Sequence, residues 1–150
     1  MKNEYFGNTL ICKKCDNHFQ TIKNPFDAIM MKSEHDEIVF DIALFLNGDI
    51  RENKDVCFFL IIRPLDEQKE EMYMPLVSQN ISVKIEEPFL QASRIKPGPV
   101  RFPDEGMYAL ELRYVEEKVT NNQKKLYDAI EHSQLINRFA FMVRFEQKNS

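Results

Sequence analysis

Apolar and polar positions alternate with a period of two in several stretches of this chain. The clearest lies in residues 102–114, where a turn at Pro103, Asp104 and Gly106 runs straight into alternation. Tyr108, Leu110, Leu112 and Tyr114 share one face, and Met107, Ala109, Glu111 and Arg113 share the other. That pattern predicts a half-buried strand. Residues 38–46 repeat it, with Ile38, Phe40, Ile42, Leu44 and Leu46 on one side. Residues 136–146 repeat it again, setting Phe139, Phe141, Val143 and Phe145 against Arg138, Ala140, Met142 and Arg144. Residues 56–62 are apolar on both faces, which predicts a central strand covered from both sides.

Weaker signals fill in the rest. Residues 9–15 read as a first strand, followed by a turn at Asp16-Asn17 and a return to extended chain over 18–22. Residues 26–31, after Pro25, fit either one helical turn or a short strand, and the charged residues 33–37 form a loop. Asn47-Gly48 is the dipeptide best suited to positive φ in a hairpin, so the chain is expected to turn there. Pro64 ends the central strand and 65–71 form an acidic turn. Two further strands follow, 72–77, pushed to an edge by Pro75, and 80–86, stopped before Pro88. Residues 89–93 remain ambiguous, and Pro97-Gly98-Pro99 is an open turn. Helical spacing occurs only at 126–130, with Asn121 or Asn122 as its cap.

These elements predict an all-β fold with roughly seven to nine strands and at most one short helix near 122–133, as a two-sheet antiparallel sandwich or, failing that, a small barrel. With 150 residues, 43% of them apolar and twelve of them Phe, one domain spanning 1–150 has enough material for a core. Asp104-Glu105-Gly106-Met107-Tyr108 has the form Asp-x-Gly-x-Tyr. It resembles the tyrosine corner of immunoglobulin-like sandwiches, in which a Tyr near the start of a late strand sends its hydroxyl back to nearby backbone. The resemblance implies an immunoglobulin-like fold without the disulfide of antibody domains, since Leu110 stands where a Cys would follow. In general texture the chain is similar to small uncharacterised bacterial sandwich proteins; that likeness implies a fold and no activity.

Charge and cysteine usage narrow the functional classes. The net charge is −4 and no basic block stands out, a poor match to nucleic acid, whose binding rests on neutralised phosphates. The longest apolar run is too short to span a bilayer, and the first residues carry no apolar leader. An odd set of three cysteines points to a reducing interior, hence the cytoplasm.

Candidate chemistry is sparse. Cys12, Cys15 and His18 form Cys-x2-Cys-x2-His, three of the four ligands of a structural zinc site, with Cys57, His35, His132 or a carboxylate as the fourth. Against this, a regular strand over 9–15 would point Cys12 and Cys15 to opposite faces. His35, flanked by Glu34, Asp36 and Glu37, is the centre of a hydrolase reading or simply a solvated acidic loop. Cys57 reads as a small buried hydrophobe. The four glycines are dispersed, which excludes Walker- and Rossmann-type phosphate loops. Met107, Met142, Ala109 and Ala140 all fall opposite the main apolar set of their strands. If those strands are neighbours, they make an apolar patch among Glu111, Arg113, Arg138 and Arg144, a candidate contact surface; cover by the 126–130 segment or a long loop is the alternative. The expected function is therefore a non-enzymatic binding or assembly module with no cofactor, acting through loops or an edge strand on a protein partner or as a homodimer. A zinc-stabilised domain is the alternative.

Overall fold

The computed structural model describes residues 2–15, 22–25, 28–69, 72–120 and 122–146. Among these residues nine strands form two sheets, with one α-helix and one 3-10 turn. In chain order the strands are β1 (Glu4–Cys15), β2 (Ile22–Pro25), β3 (Ala28–Met31), β4 (Asp41–Asp49), β5 (Lys54–Pro64), β6 (Met74–Val83), β7 (Phe89–Ile95), β8 (Gly106–Val115) and β9 (Gln134–Phe145). The helix, α1, is Gln123–His132 and the 3-10 turn is Glu67–Lys69. The first sheet has the order β2-β1-β4-β7 and the second β3-β9-β8-β5-β6.

Alternation decides which side chains meet between the sheets. Tyr5 and Ile11 of β1 and Ile42, Leu44 and Leu46 of β4 are buried there against Val56, Phe58, Leu60 and Ile62 of β5. Tyr108, Leu110 and Leu112 of β8 and Phe141 and Val143 of β9 complete the core. The odd positions of β5 (Cys57, Phe59 and Ile61) face the other way, into a second cluster with Val115, Val119, Ala129 and Ile130. The apolar run is thus a central strand buried on both faces. Burial pushes the Cys57 thiol up to about 11, as expected of a thiol that packs as a hydrophobe.

Several expectations are corrected. Asn47-Gly48 is not a turn: β4 continues to Asp49, with Gly48 paired to Tyr5 on one side and Phe89 on the other. The glycine answers to crowding, because a Cβ there would lie 3.1 Å from the Glu4 carbonyl oxygen and 3.3 Å from the Phe89 ring. The chain reverses at 50–53 instead, where buried Asn3 ties the loop down. Its Oδ1 accepts from the Arg51 and Glu52 amides at 2.6 and 3.0 Å, and its Nδ2 donates to the Glu52 carbonyl at 3.0 Å.

The two strands expected at 72–77 and 80–86 are one, β6, on the edge of its sheet. Pro75 is tolerated there beside an irregularity at Leu60/Ile61. The ambiguous 89–93 segment is β7, and 26–31 contains a strand, β3. β3 also breaks the all-antiparallel expectation: it runs parallel to β9, Ala28 opposite Met142. β2 ends at Pro25 in one sheet and β3 begins at Ala28 in the other, so a short edge strand reaches the last strand in the same direction. The turn expected at Asp16-Asn17 lies outside the described residues.

The turn before β8 behaves as a unit. The Tyr108 hydroxyl donates to the Asp104 carbonyl at 2.8 Å. The Tyr108 ring packs edge-on against buried Phe102, with ring centroids 4.9 Å apart. Gly106, at φ 140°, adopts a backbone conformation that other residues avoid. Helix α1 starts at one of the two caps predicted for it, Asn122, whose side chain accepts from the Lys124 amide at 3.0 Å. No helix among the described residues is long and apolar enough to cross a membrane.

Candidate functional site

β8 and β9 pair in the register that brings the sequence-predicted patch together. Met107 lies opposite Met142, Ala109 opposite Ala140, and Glu111 opposite Arg138. All point away from the core, onto the outer face of the second sheet. Helix α1 covers one end of that face, over Cys57, Phe59 and Ile61. Met107 lies at the other end and is 41% exposed; beyond it Met30 of β3, at the Arg144 register, is 62% exposed.

Between helix and methionines lies a belt of charge centred on Glu111, which is fully buried. Its Oε1 accepts from Arg63 Nε at 3.3 Å and Arg113 Nη1 at 2.8 Å, and its Oε2 accepts from Arg138 Nε at 2.9 Å and Nη2 at 2.7 Å. Four donors saturate the two carboxylate oxygens. Burial alone would push the Glu111 carboxyl up. The Arg138 hydrogen bonds and the charges of Arg63 and Arg113 outweigh it and hold the carboxyl below the usual range.

Each arginine has a further task. Arg113 donates from Nε to the Ser133 hydroxyl at 2.7 Å and from Nη2 to the Ser133 carbonyl at 2.9 Å. It thereby anchors the C-terminal end of α1, where the helix dipole favours a cation. Arg63 lies over the Tyr73 ring, 5.0 Å from its centroid. Arg138 is the outermost, its side chain 47% exposed against 20% for Arg63 and 17% for Arg113. One carboxylate thus holds three guanidinium groups together.

Arg113 and Arg138 were legible as rim residues of the patch, whereas Arg63, Ser133 and Tyr73 were not. One signal was available: a Glu between two leucines in a half-buried strand needs cationic partners if its face is covered.

The other candidates are less assembled. Cys12 is fully buried beside Ala43, its sulfur 3.7 Å from the Asp41 carbonyl oxygen. The Cys15 side chain and His18 lie outside the described residues, among which no three His, Cys, Asp or Glu side chains gather. His35 stands in solvent, its side chain 84% exposed and its Nε2 3.4 Å from Glu34. The neighbouring carboxylates are turned elsewhere: Asp36 accepts from the Lys32 amide and Glu37 pairs with Arg101. His132, in the last turn of α1, contacts the Asp128 carbonyl oxygen at 2.8 Å. No protein-family model matches the chain, and no curated protein is similar to it.

Proposed function

We propose that this chain is a protein-binding or assembly module of the immunoglobulin-like sandwich type, and that it works through the outer face of β3, β9 and β8. The fold part of the reading is supported by strand order. Labelling β4, β5, β6, β7, β8 and β9 as B, C, C′, E, F and G makes the second sheet contain G-F-C-C′ and sets B beside E in the first. The Tyr108–Asp104 hydrogen bond falls at the start of the strand labelled F, where a tyrosine corner belongs.

The observation that carries the functional part is the contrast within one face. Helix α1 shields one end of it, while Met107 and Met30 stay exposed beside an arginine-rich belt. Flexible thioethers beside a charged rim suit an adaptable contact. The reading therefore moves the contact from loops and edges to a sheet face.

The test compares proteins retained by the immobilised chain with those retained by Met107→Lys and Met30→Lys. Both side chains are exposed, so the variants should unfold at the wild-type temperature. A partner held by wild type and lost by both variants supports the reading; identical retained sets overturn it.

A further inference from the structure

The belt and the methionine shelf together suggest what kind of segment the face takes. Arg138 grips Glu111 side-on, through Nε and Nη2. A planar guanidinium held that way keeps a second fork, formed by Nη1 and the outer hydrogen of Nη2, pointing away from the carboxylate. Glu111 fixes the plane of the group, so less freedom is lost when that fork closes on a ligand. The fork is matched to a carboxylate, which it holds by two parallel, charge-assisted bonds.

Spacing supplies the rest. Arg138, Ala140 and Met142 follow one another at every second residue on β9. In an extended chain that step is about 6.7 Å. An extended ligand running in the same direction as β9 has the same step, so a carboxylate at Arg138 brings its second-next side chain to Ala140 and the one after that to Met142 and Met107. Ala140 is small and exposed, which leaves room for an apolar side chain between the arginine and the methionines.

We propose that the occupant is an extended segment of another protein with an acidic residue followed at every second position by apolar ones: acidic-x-apolar-x-apolar. This rests on the reading of the face as a protein contact and adds its chemistry.

The probe is the blocked pentapeptide Glu-Ser-Leu-Ser-Leu, compared with Gln-Ser-Leu-Ser-Leu, each titrated to about 10 mM, well above the roughly millimolar Kd of so small a contact. The readouts are the NMR signals of the arginine Nε–H groups and the methionine methyls. The expected result is a shift of the Arg138 Nε–H and of the Met107 and Met142 methyls, with the Gln peptide about tenfold weaker or more. Ala140→Glu sets a carboxylate in the path of the ligand. It should abolish the shifts while the unfolding temperature stays put, because Ala140 is exposed.

Equal binding of the two peptides overturns the acidic requirement while leaving the contact face itself standing. No shift with either peptide overturns the proposal. So does a concentration-dependent dimer that buries Met107 and Arg138, because the occupant is then a second copy. Loss of partner retention in Met107→Lys together with a silent peptide titration would locate the error in the ligand chemistry and not in the face.

Discussion

On the outer face of the second sheet, helix α1 lies over Cys57, Phe59 and Ile61, and Glu111 is sealed beneath three arginines. On the outer face of the first sheet, β1, β4 and β7 present Phe6, Phe45 and Leu90, which are 52%, 40% and 79% exposed, and no described helix lies over them. Register places Phe6, Asn47 and Leu90 in one cross-strand row and Asn8, Phe45 and Ala92 in the next. Both faces mix apolar and polar residues at alternate positions, yet Cys57, Phe59 and Ile61 are built into the fold while the rows of Phe6, Phe45 and Leu90 stay near solvent, and Cys12 and Ala43, toward the other end of the first face, are buried. The difference teaches that an outward apolar residue becomes core only when a later segment returns to cover it. Here that segment is α1, tied down at its C-terminal end by Arg113 and held before its start by Asn80, which exchanges two hydrogen bonds with Val119 at 2.9 and 3.0 Å.

The comparison predicts unequal mutational costs. Glu111→Gln should have the largest, about 3–5 kcal/mol in denaturant unfolding, because it leaves three guanidinium groups around a neutral amide. A cost below about 1 kcal/mol would show that water relieves the belt. Ile130→Ala removes the main side chain by which α1 covers the sheet, and should cost about 2–4 kcal/mol by the same measurement.

The acid limb sharpens the same point. Glu111 is held below its usual range, so it contributes stability above the unfolded carboxylate value of about 4.3. That contribution declines as pH falls from there and is lost through the lower folded value. Unfolding free energies measured from pH 7 to pH 3 should therefore fall less steeply in Glu111→Gln than in wild type. The phenol of Tyr5 works at the other end of the scale, pushed up to about 12 chiefly by burial. An unfolded Tyr ionises near 10, so the stability it contributes is lost as pH rises from about 10 toward 12. Tyr5→Phe should flatten that alkaline loss. The smallest effect belongs to the open face: Leu90→Ser should change stability by no more than about 0.5 kcal/mol. A cost above about 2 kcal/mol would mean that this face, too, is covered.

Much of this was legible along the chain. The alternation in β4, β8 and β9 identified which residues enter the core, because a strand's period of two leaves a side chain only two directions. The double-sided run of β5 announced a strand with two covered faces, and Asn122 marked the start of the only described helix. The Met107–Met142 and Ala109–Ala140 pairs followed from the same alternation once β8 and β9 were neighbours.

What local pattern misjudged depended on contacts distant in sequence. Asn47-Gly48 has strong turn chemistry, but bonds to β1 and β7 on both sides outweigh it, and Asn3, far away in the chain, selects where the reversal occurs. β3 has the composition of a strand, but its parallel place beside β9 depends on which sheet edge was vacant. Arg63 ends a strand with no sign of its role, and meets Glu111 only because β5 and β8 are adjacent.

The chain by itself determined which residues face inward, because that follows from the period of each strand and the cost of exposing apolar surface. Only the tertiary structure decided which outward faces are covered and which charges meet, because both depend on the pairing of strands many residues apart. The candidate site is of that second kind: some of its residues were visible one by one, and its ion-pair network and its shape exist only after β5, β8 and β9 lie side by side.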